Sequence, residues 1–320
     1  MKKNKALLIV IKTTVSLGIL TLLLVKTNIS GITAAVHCFK SSTLCAAIFL
    51  TLAFAFWMSI KWKALLPALP FYMVLRISLI RYFYSFALFG TLAGDGARAY
   101  LLGKQNKDNA AESAASIIVD RVTGFAGLSL TGVAGLTLSS IKTPMSIKIA
   151  CFLMLGVGFG VLFSLNIPIF LKTVATGLVC VLRKLKAPQK AFFESAKFID
   201  SMRMYAKKPK MLFLSVGAGV VSQVLCILYC RLLAGDLGIV LQFGDWCWLF
   251  WVVSMAIIFP ISISGIGIRE SSFVGMLSIF GVCAEKALAL SLSMFCCDAV
   301  LGCVGGIFLI GFKPRKRADL

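Results

Sequence analysis

The chain has 320 residues, 59% of them hydrophobic and only 14% charged. That balance excludes a soluble globular protein, whose surface needs far more Lys, Glu, Arg and Asp. The 33 Lys and Arg against 12 acids give a net charge of +21, carried between and after apolar blocks of about 20 residues, the length a helix needs to cross a bilayer. Such charge marks loops held on the cytoplasmic side rather than a nucleic-acid surface.

In chain order, Lys2-Lys3-Asn4-Lys5 opens onto an apolar run, 6–25. The run is longer than a signal-peptide core and no small-residue cleavage site follows it, so it is expected to be a retained spanning helix. Further spans are expected at 43–60, 117–138, 145–169, 211–233 and 287–311, about six in all. Two other apolar stretches, 71–93 and 247–284, cannot each cross once. Single crossings would put the basic segment 171–210 outside, against the positive-inside rule. If each instead dips in and returns on its own side, that segment, Lys61, Lys63, Lys107 and both termini are cytoplasmic. The loop around Asp236 and Asp245 is then external. Within the linker, residues 183–205 place Phe192, Phe193, Ala196, Ile199 and Met202 at helical spacing among basic residues. That pattern predicts a helix lying on the anionic cytoplasmic leaflet; the alternative is an ordinary solvated linker helix.

The two dips carry one motif. Thr91-Leu92-Ala93-Gly94-Asp95-Gly96-Ala97-Arg98 and Ser262-Ile263-Ser264-Gly265-Ile266-Gly267-Ile268-Arg269 both read [ST]-[LI]-[AS]-G-x-G-[AI]-R. An offset of 171 residues lays 43–60 on 214–231 and 117–138 on 288–309. A second echo, D-x-V-x-G-x-x-G, begins at Asp120 and again at Asp298. Charge-derived topology makes the halves, about 43–138 and 214–309, run opposite ways. Together these predict an inverted repeat; the alternative is glycine-rich helix packing that recurs by chance. The fold class is therefore all-α integral membrane, one domain over 1–320, with re-entrant helical hairpins at the two dips.

The motif residues suggest a chemistry. Gly94, Gly96, Gly265 and Gly267 allow sharp turns with free backbone N–H groups, and a helix restarting there presents a positive N-terminus. Arg98 and Arg269 can fork onto a phosphate. Asp95, Glu270, Asp120 and Asp298 lie close to the same turns. The alternative is structural: Arg98 with Asp120, and Arg269 with Asp298, as ion pairs that lock broken helices. Arg121 and Glu112 read as interfacial, and Arg76 and Arg81 as snorkelling to headgroups. Eleven cysteines without a CxxC pair and a single histidine, His37, with no HExxH or DxD, leave few ligands for a metal. No metal and no cofactor are expected.

Gly94-Asp95-Gly96-Ala97-Arg98, then Asp120-Arg121, then Pro260 through Glu270 in a P-x-S-x-x-G-x-G-x-R-E pattern, resemble the lysylphosphatidylglycerol synthase transmembrane-region family. The resemblance covers about 10–312; Ala93 departs from it, where a first glycine is usual. In the synthases this region precedes a soluble aminoacyl-transferase domain, which this sequence does not hold. The resemblance thus implies a flippase-like module of the inner membrane and not an enzyme. Its expected partners are anionic membrane lipids, with a membrane or cytoplasmic lipid-synthesis enzyme as a candidate and nucleic acid excluded. The rival reading is an accessory subunit or membrane-embedded transferase in lipid or glycolipid synthesis.

Overall fold

A computed structural model describes residues 29–87, 90–105, 110–139, 141, 143–164, 167–184, 189–258, 265–310 and 312. The apolar run 6–25, the start of the second motif and the basic tail lie outside the described residues. Those described form twelve α-helices and no strand. They are α1 (Ile29–His37), α2 (Ser41–Leu65), α3 (Phe71–Ala87), α4 (Thr91–Gln105), α5 (Ala110–Thr137), α6 (Met145–Ser164), α7 (Pro168–Lys184), α8 (Gln189–Ala206), α9 (Pro209–Asp236), α10 (Phe243–Ile258), α11 (Ile268–Ser278) and α12 (Ala284–Ile310).

Prolines punctuate this order. Pro67 and Pro70 separate α2 from α3, and Pro168 and Pro209 open α7 and α9, where a missing N–H is no loss. Five helices are long and apolar enough to cross a membrane: α2, α5, α6, α9 and α12. They coincide with the expected blocks from 43–60 onward, so the chain is an all-α, multi-pass membrane protein.

Neither dip stretch forms one long helix. The first is α3 followed by α4, and the second is α10 followed by α11, with each pair packed together. At about 1.5 Å per residue, the 17 residues of α3 and the 11 of α11 fall short of a hydrocarbon core about 30 Å thick.

Polar and glycine contacts fix how the helices run. Lys40 N donates to Asp236 Oδ2 (2.9 Å) and Trp57 Nε1 to the Ala218 carbonyl (2.9 Å), so α2 and α9 lie antiparallel. Arg76 reaches the Phe308 carbonyl (3.2 Å) while Gly302 meets Phe86, so α3 and α12 are antiparallel too. Gly132 against Trp251, and Gly244 against Leu138, give α5 and α10 the same relation. The α5–α9 crossing rests on Gly127 and Gly219, where an added methyl at 127 would sit 2.8 Å from Gly219 backbone. Small residues at such crossings let helices approach closely, the main source of packing in lipid.

The two largest buried clusters each enclose one short-helix pair. One holds Trp62, Leu65, Ile77, Ile80, Leu102 and Val119 around α3–α4. The other holds Trp246, Trp248, Phe273, Leu277 and Leu290 around α10–α11.

The linker helix departs from expectation. Instead of offering its apolar face to the leaflet, α8 turns Ile199, Met202, Tyr205 and Ala206 into the first cluster. These positions share one helical face. Tyr205 Oη donates to the Leu65 carbonyl (2.8 Å), an end-of-helix acceptor that α2 cannot itself satisfy.

Candidate functional site

The first motif does not turn where its glycines stand. Gly94 and Gly96 lie within α4, and the chain reverses earlier, at Gly90, whose φ is 151°. Gly94 has a different use. A side chain there would collide with the Arg81 carbonyl (2.7 Å) and with Ser85, so its absence lets α4 lie directly on α3. Gly96 faces open space. The second motif does turn at its glycines: Gly265 and Gly267 have φ of 77° and 85°, a region costly for any residue with a Cβ.

The close α3–α4 contact assembles charges from four helices. Arg98 on α4 donates through Nη1 to Asp120 Oδ2 (3.1 Å) and to Asp95 Oδ1 (3.5 Å). Its guanidinium carbon sits 3.6 Å from the centre of the Trp62 ring on α2. Lys61, beside Trp62, places Nζ 3.1 Å from Asp120 Oδ1 and 2.9 Å from the Asp120 carbonyl. Asp95 also takes Arg81 of α3 (3.1 Å) and Arg121 of α5. Lys61 and Arg98 are each 2% exposed. Burial on this scale is tolerated for Lys and Arg only when they are paired.

Four cations, Lys61, Arg81, Arg98 and Arg121, thus meet two carboxylates, Asp95 and Asp120. The group holds a surplus of two positive charges. Arg98 Nε and Arg121 Nη2 are buried and donate to nothing among the described residues. An uncompensated charge within a membrane protein is costly, so the surplus and the idle donors both call for an anion. The cluster lies near the end of α2, which stops at Leu65, rather than at the helix centre.

The second motif builds a cluster of opposite sign. Arg269 donates to Asp298 Oδ2 (3.2 Å) through Nη1 and to Glu270 Oε1 through Nε and Nη2 (3.3 and 3.2 Å). Glu270 also accepts from Ser291 Oγ (3.2 Å) and from Gly267 N (2.6 Å). The last bond fills a donor at the N-terminus of α11, so the N–H expected to be free at that turn is capped by Glu270. One cation faces two carboxylates here. Arg269 also lies 5.2 Å from the Phe295 ring, which packs 5.5 Å from Phe86 of α3. Through Phe295 the second hairpin touches the first.

The structure therefore brings Asp95, Arg98, Asp120 and Arg121 together, and separately Gly265, Gly267, Arg269, Glu270 and Asp298. Both Arg–Asp pairings named as the structural alternative are present. Three assignments change. Lys61 is buried on Asp120, not a loop charge; Arg81 is drawn inward to Asp95, not out to headgroups; and Arg121 closes the same carboxylate. Lys61 and Arg81 were missing from the expected site. The available signal was the pair of acids, Asp95 and Asp120, which needed more cations at that depth than Arg98 alone.

No metal-ligating cluster of His, Cys, Asp and Glu exists among the described residues. Fold and site together define a helical membrane protein with two ionic centres, each set beside a broken helix pair. Residues 9–305 match the family described as Lysylphosphatidylglycerol synthase TM region, and the chain belongs to that family. That membership places it among membrane proteins of lipid-related processes. No curated protein and no solved structure matches it.

Proposed function

We propose that this chain carries an anionic lipid, or a lipid-linked precursor, between the leaflets of the inner membrane, seating the headgroup on Lys61, Arg81, Arg98 and Arg121. One observation carries this reading: the surplus of positive charge, with buried idle donors on Arg98 and Arg121, beside the α3–α4 break. Preorganised guanidinium groups are suited to a phosphate because they match its oxygens in pairs. The Arg269 centre, whose donors already face Glu270 and Asp298, holds the second hairpin in shape.

Alternation between two faces needs two halves that can rock against each other. The reading of an inverted repeat is supported by the packing: α3 lies antiparallel to α12 as α10 lies antiparallel to α5, and α2 antiparallel to α9. These are the pairings expected if 43–138 and 214–309 are related by inversion. With the termini and 171–210 cytoplasmic, the α3–α4 pair enters from the cytoplasm and the α10–α11 pair from outside. Single cysteines test this. One at Asp236 should react with an impermeant thiol reagent on intact cells, and one at Lys190 should not; the reverse pattern rejects the topology.

Transport itself is tested with the purified chain in liposomes holding headgroup-labelled anionic lipids. Loss of label to an impermeant quencher should be faster than in empty liposomes, and lipid masses should stay unchanged. A new lipid mass on adding a soluble donor would instead indicate a transferase.

A further inference from the structure

Taking the Lys61–Arg81–Arg98–Arg121 cluster as the headgroup seat, the charge count within it narrows the ligand. We infer that the cluster takes a doubly charged terminal phosphate, a phosphate monoester, rather than the singly charged phosphodiester of ordinary glycerophospholipids.

The cluster's charges do not balance. Asp120 is held by Lys61 and Arg98, and Asp95 by Arg81, Arg98 and Arg121. These contacts neutralise two of the four positive charges and leave two. A phosphodiester would answer only one of them and leave the other without a compensating anion. A dianion answers both. Its three terminal oxygens also offer more acceptors than a diester's two, and two buried donors, Arg98 Nε and Arg121 Nη2, stand without partners among the described residues.

The second centre supplies a contrast within the same chain. There one arginine faces two carboxylates, Glu270 and Asp298, and Glu270 is further engaged by Ser291 and Gly267. Carboxylates already serve as its anions. The first centre has too few, so it is the one that lacks an anion.

The experiment uses the full chain purified in a detergent with an uncharged headgroup. Binding is measured for three probes at constant ionic strength: short-chain phosphatidic acid, short-chain phosphatidylglycerol and inorganic phosphate. At pH 7.5 phosphatidic acid should bind at least about tenfold tighter than phosphatidylglycerol, about 1.4 kcal/mol. At pH 5 that preference should collapse, because a monoester loses its second charge near pH 6, at about its second pKa. The sign is diagnostic. A change in the protein's own charge at low pH would alter binding of both lipids together, so weakening confined to the monoester belongs to the phosphate. Arg121→Gln, at the most exposed of the four cations, should remove the preference at pH 7.5 by weakening phosphatidic acid more than phosphatidylglycerol.

Inorganic phosphate binding as tightly as phosphatidic acid would assign the site to free phosphate; weaker binding assigns it to a lipid. Both results keep the dianion. Equal affinity for the two lipids at pH 7.5 overturns the dianion and leaves translocation of anionic lipids standing. Binding of neither lipid overturns the headgroup seat as well.

Discussion

The guanidinium of Arg98 lies over the indole of Trp62, 3.6 Å from guanidinium carbon to ring centre. Trp62 is itself fully buried, and its Nε1 donates to Ser116 Oγ at 3.2 Å. The ring therefore joins α2 to α5 along its edge while its face orients the arginine of α4. Removing it disturbs the site through Arg98 as well as through packing.

Trp62→Ala should cost about 3–5 kcal/mol, as large aromatic truncations in packed cores do. Trp62→Phe keeps a π face under Arg98 and should lose only about 1–2 kcal/mol, from the weaker quadrupole and the missing N–H donor. Thermal unfolding of the purified variants in detergent measures both. Equal losses would mean that the face contact with Arg98 contributes nothing.

The Lys61–Asp120 pair should behave as a buried ion pair. Lys61→Met leaves Asp120 with Arg98 alone, and Asp120→Asn leaves Lys61 without a carboxylate and Arg98 with only Asp95. Each single change should destabilise by about 3–5 kcal/mol, the cost of stranding one buried charge. The double variant removes one charge of each sign and keeps the surplus of two. It should recover most of the lost thermal stability and retain anion binding. An additive double variant would contradict the coupling.

Two glycines should respond in opposite directions. Gly305 sits against the Leu79 carbonyl and Phe83 N of α3, backbone atoms that cannot give way, so Gly305→Ala should destabilise by about 1–3 kcal/mol or more. Gly96 meets nothing within 4 Å and lies within α4, so Gly96→Ala should leave stability unchanged or raise it by up to about 1 kcal/mol through helix propensity. Melting temperatures of the two variants decide it.

Much of the fold was legible because bilayer length and charge sidedness act on whole blocks of sequence. The long apolar runs at 43–60, 117–138 and 211–233 needed no knowledge of packing, and each broken stretch proved to be a pair of short helices. The site was legible only in part. Asp95, Arg98 and Asp120 are conspicuous because ionisable groups among apolar residues need a reason. Lys61 is not, since beside Lys63 at the end of an apolar block it looks like any loop charge. Only the approach of α5, with Gly124 leaving room 3.2 Å from Lys61 Nζ, turns it inward. Arg81 is hidden the same way, because its partner Asp95 lies across a helical turn-back that spacing alone does not fold. The paired GxG motifs suggested equivalent turns, yet positive φ occurs at both glycines of the second and at neither of the first. In the first motif, Gly94 serves close helix contact instead.

The headgroup rests on the Arg98 centre in this proposal, while the Arg269 centre is structural. The most direct measurement compares Arg98→Lys with Arg269→Lys in the liposome quenching assay, each normalised to the amount of folded protein inserted. Lysine keeps the charge but loses the fork that grips a phosphate. Arg98→Lys should slow the initial rate by at least about tenfold, the equivalent of about 1.4 kcal/mol, with insertion unchanged. Arg269→Lys should lower the amount of folded protein but leave the rate per molecule within about twofold. Equal slowing by both variants, or a wild-type rate no faster than empty liposomes, would contradict the account.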